Sequence, residues 1–180
     1  MMPNLILSFD GGYLRPLKVS DIHKEYIDGL NDPEVNFFLD SVKSCHQTYD
    51  SVSDYVSLNG ASSDSVLWGV WLENSKNHVG TVCIHGIESR HKTAYIGACL
   101  FDHGSWGKGV GGKSIKSVTR WAISDLGLRW VEAGIFPNNI ASQKAFISAG
   151  YEWIFDVPKK YIHDGHSVDV KIYVAKDINQ

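Results

Sequence analysis

The nine-residue stretch 106–114, WGKGVGGKS, limits what this chain can fold into more than any other feature. Gly107, Gly109, Gly111 and Gly112 let backbone N–H groups point together and approach a ligand closely. Behind them Ile115, Val118, Trp121, Ala122 and Ile123 fall at helical spacing, so a helix follows and adds the positive end of its dipole. A phosphate-rich ligand between Phe101 and Ile115 is the sharp reading. A glycine turn joining strand to helix is the bland one. What constrains the fold is that the loop comes late, after three β-type segments.

Those segments are 66–72, 78–85 and 94–101, separated by turns at 74–77 and 89–92, the pattern of an antiparallel meander. Ahead of them, 13–17 reads as a short strand halted at Pro16. Ser20-Asp21 reads as the cap of a helix carrying Ile22, Tyr26, Ile27 and Leu30. Asn31-Asp32-Pro33 breaks that helix, Pro33 starts a further turn through Phe38, and Thr48 caps a second helix ending near Asn59-Gly60. Beyond the loop, Gly127 closes its helix. A strand over 130–136 follows, then a helix from 137–139 to Gly150. Strands 151–157 and 168–175 close the chain around a polar loop. The order βαα-βββ-α-β-α-ββ predicts one mixed α/β (α+β) domain over 1–180, with its core at about 12–177.

Composition narrows the partners. With 17 basic and 20 acidic residues the net charge is -3, so no general attraction for nucleic acid is expected. No run of about 20 apolar residues predicts a membrane span. The N-terminus MMPNLILSFDGG lacks a basic region before its short apolar run, so no secretory leader is expected. Cys45, Cys83 and Cys99 are odd in number and lack C-x-x-C spacing, which predicts reduced thiols and a cytoplasmic location.

Three patterns fit the glycine loop. Residues 107–114 are a literal G-x-x-x-x-G-K-S phosphate loop, 107–112 a literal G-x-G-x-x-G dinucleotide fingerprint, and 106–111 an x-G-x-G-x-G/A loop of acyl-coenzyme A transferases. A nucleotidase would need Lys113 on phosphate, Ser114 on Mg²⁺ and a downstream acid, for which only Asp156 offers itself. A dinucleotide fold would place an acid about 20 residues on, where Glu132 stands, but at the start of its strand rather than the end. Both fit the spacing and suit the architecture poorly.

The third reading extends past the loop. FPNNIASQKAFISAGY resembles the second signature of the Gcn5-related N-acetyltransferase (GNAT) superfamily, with Asn139, Ser142, Phe146 and Gly150-Tyr151 at matching offsets. WGKG is similar to the loop of its ribosomal-protein alanine acetyltransferase (RimJ/RimL-type) subgroup. HVGTVCIHGIESRHKTAYIGACL resembles that subgroup's meander, YIHDGHSVDVKIY its closing hairpin, and YLRPLKVSDIHKEYIDGLNDPEV its opening strand and helix. The resemblance spans about 12–177. It implies a GNAT-like domain: a mixed central sheet with an antiparallel N-terminal meander, a splayed parallel strand pair and helices on both faces.

The resemblance also implies acetyl-coenzyme A as the acetyl donor, no metal, and a primary amine as acceptor, attacking directly in a ternary complex. An amino sugar, another small amine or a protein N-terminus would serve. A homodimer is compatible with it. Carried over, Gly107, Lys108, Gly109, Val110, Gly111 and Gly112 would cradle the pyrophosphate. Leu100, Phe101 and Asp102 would pair with the pantetheine arm, and Asn139 and Ser142 would reach it from the other side. Two positions depart from the family: Phe146 replaces a tyrosine that can protonate the leaving thiolate, and Tyr95 replaces a glutamate. His85, Tyr95, Glu88 and Asp102 are the candidate bases, with His85 the best matched in ordinary pKa. Phe37 and Phe38 cannot both face the core from one helical stripe, so one is expected to line the acceptor pocket. His163, Asp164 and His166 read as a solvated hairpin turn rather than a metal site. A phosphate-loop nucleotidase and a non-catalytic coenzyme A-binding domain are the competing classes.

Overall fold

The computed structural model describes residues 5–176. The first four residues, part of the leader reading, and Asp177 lie outside them. Eight strands form one sheet in the order β1-β2-β3-β4-β5-β6-β8-β7. Strands β1 (Leu7–Phe9) and β2 (Gly12–Pro16) make an opening hairpin, of which the sequence pattern revealed only the second arm. The meander follows as β3 (Val66–Leu72), β4 (His78–Glu88) and β5 (Thr93–Leu100), each antiparallel to the last. Strand β6 (Trp130–Ile135) then lies parallel to β5, and the hairpin β7 (Glu152–His163) and β8 (His166–Lys176) completes the sheet.

Alternation sorts the side chains of the sheet into two layers. On one face Ala94, Ile96, Val131 and Ala133 pack against α5 (Val110–Ser124) and α6 (Ile140–Ser148). The apolar stripe Ile115, Val118, Trp121 and Ala122 lies on the buried side of α5, as its spacing predicts. On the other face a helical roof covers Leu67, Trp71 and Phe101. It comprises α1 (Lys24–Asn31), the single turns α2 (Pro33–Asn36) and α3 (Asp40–Lys43), and α4 (Tyr49–Ala61).

Two local expectations change. Helix α1 begins at Lys24 under a His23 cap, because residues 19–21 form a separate 3-10 turn in which Asp21 binds Arg15 and the Lys18 N–H. Ile22 therefore precedes the helix. The polar loop expected at the end of the chain is largely strand, since β7 and β8 extend to a two-residue turn at Asp164-Gly165. That extension carries the hairpin tip back over the sheet.

Candidate active site

Strands β5 and β6 pair only at Thr93–Trp130, Ala94–Val131 and Tyr95–Glu132. Beyond that point β5 runs on to Leu100 and β6 to Ile135 without pairing, and a cleft of about 1230 Å³ opens between them. Trp106 fixes the loop at its far end. The indole N–H donates to the Leu100 carbonyl at 2.9 Å, and the ring stacks on His103.

Helix α5 begins inside the glycine motif, at Val110. Its cap, Gly109, has φ +77°, a left-handed conformation that most side chains disfavour. The cap offers no side-chain acceptor, the first turn contains no acid, and the first N–H bonded back within the helix is that of Lys113, to Gly109. The N–H groups of Val110, Gly111 and Gly112 are thus left to a ligand at the positive end of a fifteen-residue helix. Such an arrangement of main-chain donors is suited to an anionic group. Asn139 caps α6, accepting from the Ser142 N–H at 3.1 Å, and both residues line the cleft, as do Gly107 and Leu100 on the side of the loop and β5.

Several expected contacts fall elsewhere. Phe101 is buried in the roof core against Tyr26 and His78, not in the cleft. The N–H groups of Phe101 and Asp102 both donate to the Val79 carbonyl, at 3.1 and 3.2 Å, so neither is free to pair with a cofactor arm. The Asp102 carboxylate accepts from Ser105 and Glu88 accepts from the Arg90 N–H in a turn, and both residues lie outside the cleft lining. Lys108 is exposed outside the cleft wall.

The nucleotidase reading fails on the same geometry. Lys113 turns from the loop to Asp10 in the opening hairpin, Nζ to Oδ2 at 2.6 Å, and its hydrogen bond and charge hold the Asp10 carboxyl below the usual range. Ser114 is fully buried, packed where it cannot reach a metal at the loop mouth. The dinucleotide reading fails with the sheet, in which β5–β6 is the only parallel pair among the described residues.

The opposite end of the cleft is built from side chains. His85 and Tyr95 face each other across β4 and β5, rings stacked at 5.8 Å. A bulge at the end of β4 makes room for them: Gly86 has φ +59°, and a Cβ there would meet the Tyr95 ring at 3.1 Å. Burial lowers the His85 pKa, so the ring is neutral near pH 7 and able to accept a proton. Phe38 lines the cleft and stacks on Phe136 at 5.8 Å, while Phe37 lies outside the lining, edge-on to Phe38. Phe146 is buried at the cleft edge against Tyr151.

His163 overturns the solvated-turn reading. Its side chain is only 10% exposed, enclosed by Phe37, Phe38 and Phe136, and Nδ1 meets Asp40 Oδ1 at 2.8 Å. Lys43 on α3 binds Asp164 alongside. These two contacts strap the β7–β8 tip to the roof beside the cleft. Asp164, Gly165 and His166 do form an exposed turn, but His163 is part of the packed structure. No local signal in residues 157–163 marked it, since that stretch, VPKKYIH, does not alternate.

Main-chain donors at a helix start, beside two splayed parallel strands, are what an acyl-coenzyme A-using transferase requires. The acetyltransferase (GNAT) domain family matches residues 13–152, and the chain belongs to that family, as an acetyl-coenzyme A-dependent N-acetyltransferase with RimJ/RimL-like neighbours. An uncharacterized N-acetyltransferase of Bacillus subtilis, YoaA, is 23% identical over 169 residues, covering 93% of this chain and 94% of the relative. Among solved structures, the ribosomal L7/L12 alpha-N-protein acetyltransferase RimL in complex with coenzyme A superposes with TM-score 0.83 at 17% identity, over 96% of this chain and 98% of that one. A spermidine N-acetyltransferase from Vibrio cholerae, with coenzyme A and spermine, gives 0.80 at 16% identity, over 92% and 95%. No helix among the described residues is long and apolar enough to cross a membrane.

Proposed function

We propose that this enzyme acetylates the primary amine of a small acceptor, an amino sugar or a compact alkylamine, in preference to a protein N-terminus. The observation that carries this is the strap. With His163 on Asp40 and Asp164 on Lys43, the hairpin tip and roof narrow the acceptor end of the cleft. Phe38, Tyr95 and Tyr161 supply aromatic walls there, suited to the apolar face of a sugar ring or a short carbon chain. Acetyl-coenzyme A supplies the activated acetyl group. Val110, Gly111 and Gly112 hold its pyrophosphate through main-chain N–H groups, with Asn139 and Ser142 opposite.

Direct attack by the amine fits the thiols present. Cys99 lies on the cleft wall, but burial pushes its pKa up to about 12, so it is not a thiolate able to take the acetyl group at neutral pH. Phe146 offers no acid, and a coenzyme A thiolate leaves without one.

The test is a panel of glucosamine, short alkylamines and an alanyl-terminated peptide, followed by release of free thiol. Turnover of small amines is expected, with the peptide poor. His163→Ala, which loosens the strap, should raise KM for the small amine about tenfold while leaving coenzyme A affinity unchanged, the scale of one charge-assisted hydrogen bond. Preference for the peptide over every small amine would reverse the assignment of acceptor. Tight coenzyme A binding without turnover of any amine would favour a binding module.

A further inference from the structure

We infer that Glu132 is the carboxylate that receives the acceptor ammonium and takes its proton, an assignment that rests on the acetyl-transfer reading above. The case begins with register. His85 on β4 pairs with Tyr95 on β5, and Tyr95 pairs with Glu132 on β6, so the three side chains form a row across one sheet face. That face is the one under the helical roof, and all three residues line the cleft. The Tyr95–Glu132 pair is also the last before the strands separate, so the row marks the vertex of the opening. A cofactor arm running from the cradle at Val110–Gly112 along the free edge of β5 brings its reactive end toward this vertex.

The surroundings of Glu132 leave a place for a cation. Among the described residues no Lys or Arg forms an ion pair with it; its one side-chain contact is a long hydrogen bond from the Trp130 indole N–H, at 3.5 Å. The nearest cation recorded on that side is the Lys176 ammonium, which lies over the Trp130 ring, 5.8 Å from its centroid. A half-buried carboxylate with no ion-pair partner favours an incoming ammonium. Next to the row, Gly97 leaves the floor of the cleft bare, since a Cβ there would meet nothing within 4 Å. Among the described residues that line the cleft, Glu132 is the carboxylate carried by the sheet. The other titratable groups on the wall are Glu34 and Asp40 on the roof, Cys99 on β5, Lys144 on α6 and Tyr161 on β7.

The step balances as follows. The ammonium gives one proton to the Glu132 carboxylate and becomes a neutral amine, with Tyr95 beside it and His85 behind the Tyr95 ring. The nitrogen lone pair then forms the C–N bond at the thioester carbonyl, and the C–S bond breaks. The second proton lost by nitrogen ends on the departing sulfur, and Glu132 returns its proton to solvent.

Glu132→Gln preserves shape and removes the base. With 2-phenylethylamine as acceptor between about pH 6 and about pH 10, the range over which amines lose their proton, the variant should lose roughly 10²–10³-fold in kcat/KM near neutrality. The loss should shrink as pH rises and free amine accumulates. With aniline, already neutral, the same variant should stay within about threefold of wild type, since no proton need be removed. Glu132→Asp should recover part of the neutral-pH loss. Coenzyme A affinity, measured by calorimetry, should be unchanged in both. An equal loss at every pH and with both amines would make Glu132 merely structural, and an unchanged profile would remove it from the reaction. If wild-type enzyme binds coenzyme A but acetylates neither amine, the acetyl-transfer reading falls first; if wild type is active and only the pH pattern is absent, the Glu132 assignment alone falls.

Discussion

The glycine-loop end of the cleft is made of main chain, and the opposite end of side chains drawn from four distant regions. At the first, Gly107 to Gly112 and the start of α5 create the cradle within one turn of sequence. At the second, Phe38, His85, Tyr95, Glu132 and His163 meet only because the roof, the meander, β6 and the final hairpin all fold around the splayed strands. A main-chain cradle tolerates side-chain drift so long as the backbone path is kept. A side-chain pocket can change acceptor with single substitutions.

The largest effect should come from breaking the cradle. Gly109→Val forces a β-branched side chain into a left-handed conformation and turns the first N–H groups of α5 off target. Loss of one or two charge-assisted hydrogen bonds, at about 1.5–3 kcal/mol each, weakens coenzyme A roughly 10²-fold. Gly109→Asn, which accepts that conformation more readily, should remain within a few-fold of wild type. Calorimetry on both variants, with thermal melts to confirm folding, checks the difference. Equal affinity in the two would place the pyrophosphate elsewhere.

The roof should respond to acid in a way the cradle does not. His78 is 7% exposed, stacked on Trp71 and packed against Tyr26 and Phe101, with Nδ1 3.2 Å from His23 Nε2. Burial, reinforced by His23, lowers its pKa from 6.5 to about 4. The unfolded chain therefore takes up this proton below about pH 6.5, whereas the folded chain resists it until about pH 4. Stability is fully present above the unfolded value and falls across that window by on the order of 2–3 kcal/mol. Urea unfolding at several pH values should give a shallower slope for His78→Phe than for wild type. Identical slopes would mean that the roof does not rest on a neutral histidine.

The same contrast explains what could be read from the chain. The glycine loop, the Asn139 cap and the stripe of α5 are local, each fixed by residues within a turn or two of one another, and the fold places them as their spacing predicts. Glu132 was legible only as an acid about 20 residues beyond a loop, because its neighbours Tyr95 and His85 depend on strand order and register. His163 was hidden for a related reason: a histidine beside Asp-Gly is solvated unless something from 120 residues earlier covers it, and Asp40 does. The N–H groups of Phe101 and Asp102 are already taken, since the Val79 carbonyl accepts from both, a contact that only the strand arrangement reveals. Local grammar carries the glycine-loop end of the cleft, and topology carries the opposite end.

The smallest effect tests where the two ends meet. Phe146 on α6 is 4% exposed, edge-on to Tyr151 at 5.0 Å, yet it borders the cleft. Phe146→Tyr adds a hydroxyl able to donate to a departing sulfur. The neighbouring phenol of Tyr151 is already bound to Thr119 at 2.8 Å and offers the newcomer little. A thiol with an ordinary pKa near 8.5 departs as thiolate without an acid, so kcat should change by no more than about threefold if amine deprotonation limits the rate. A rise of tenfold or more would move the slow step from the amine to the sulfur. The chemistry would then be limited at the cofactor end of the cleft, and Glu132→Gln should lose correspondingly less in the Phe146→Tyr background than in the wild-type one.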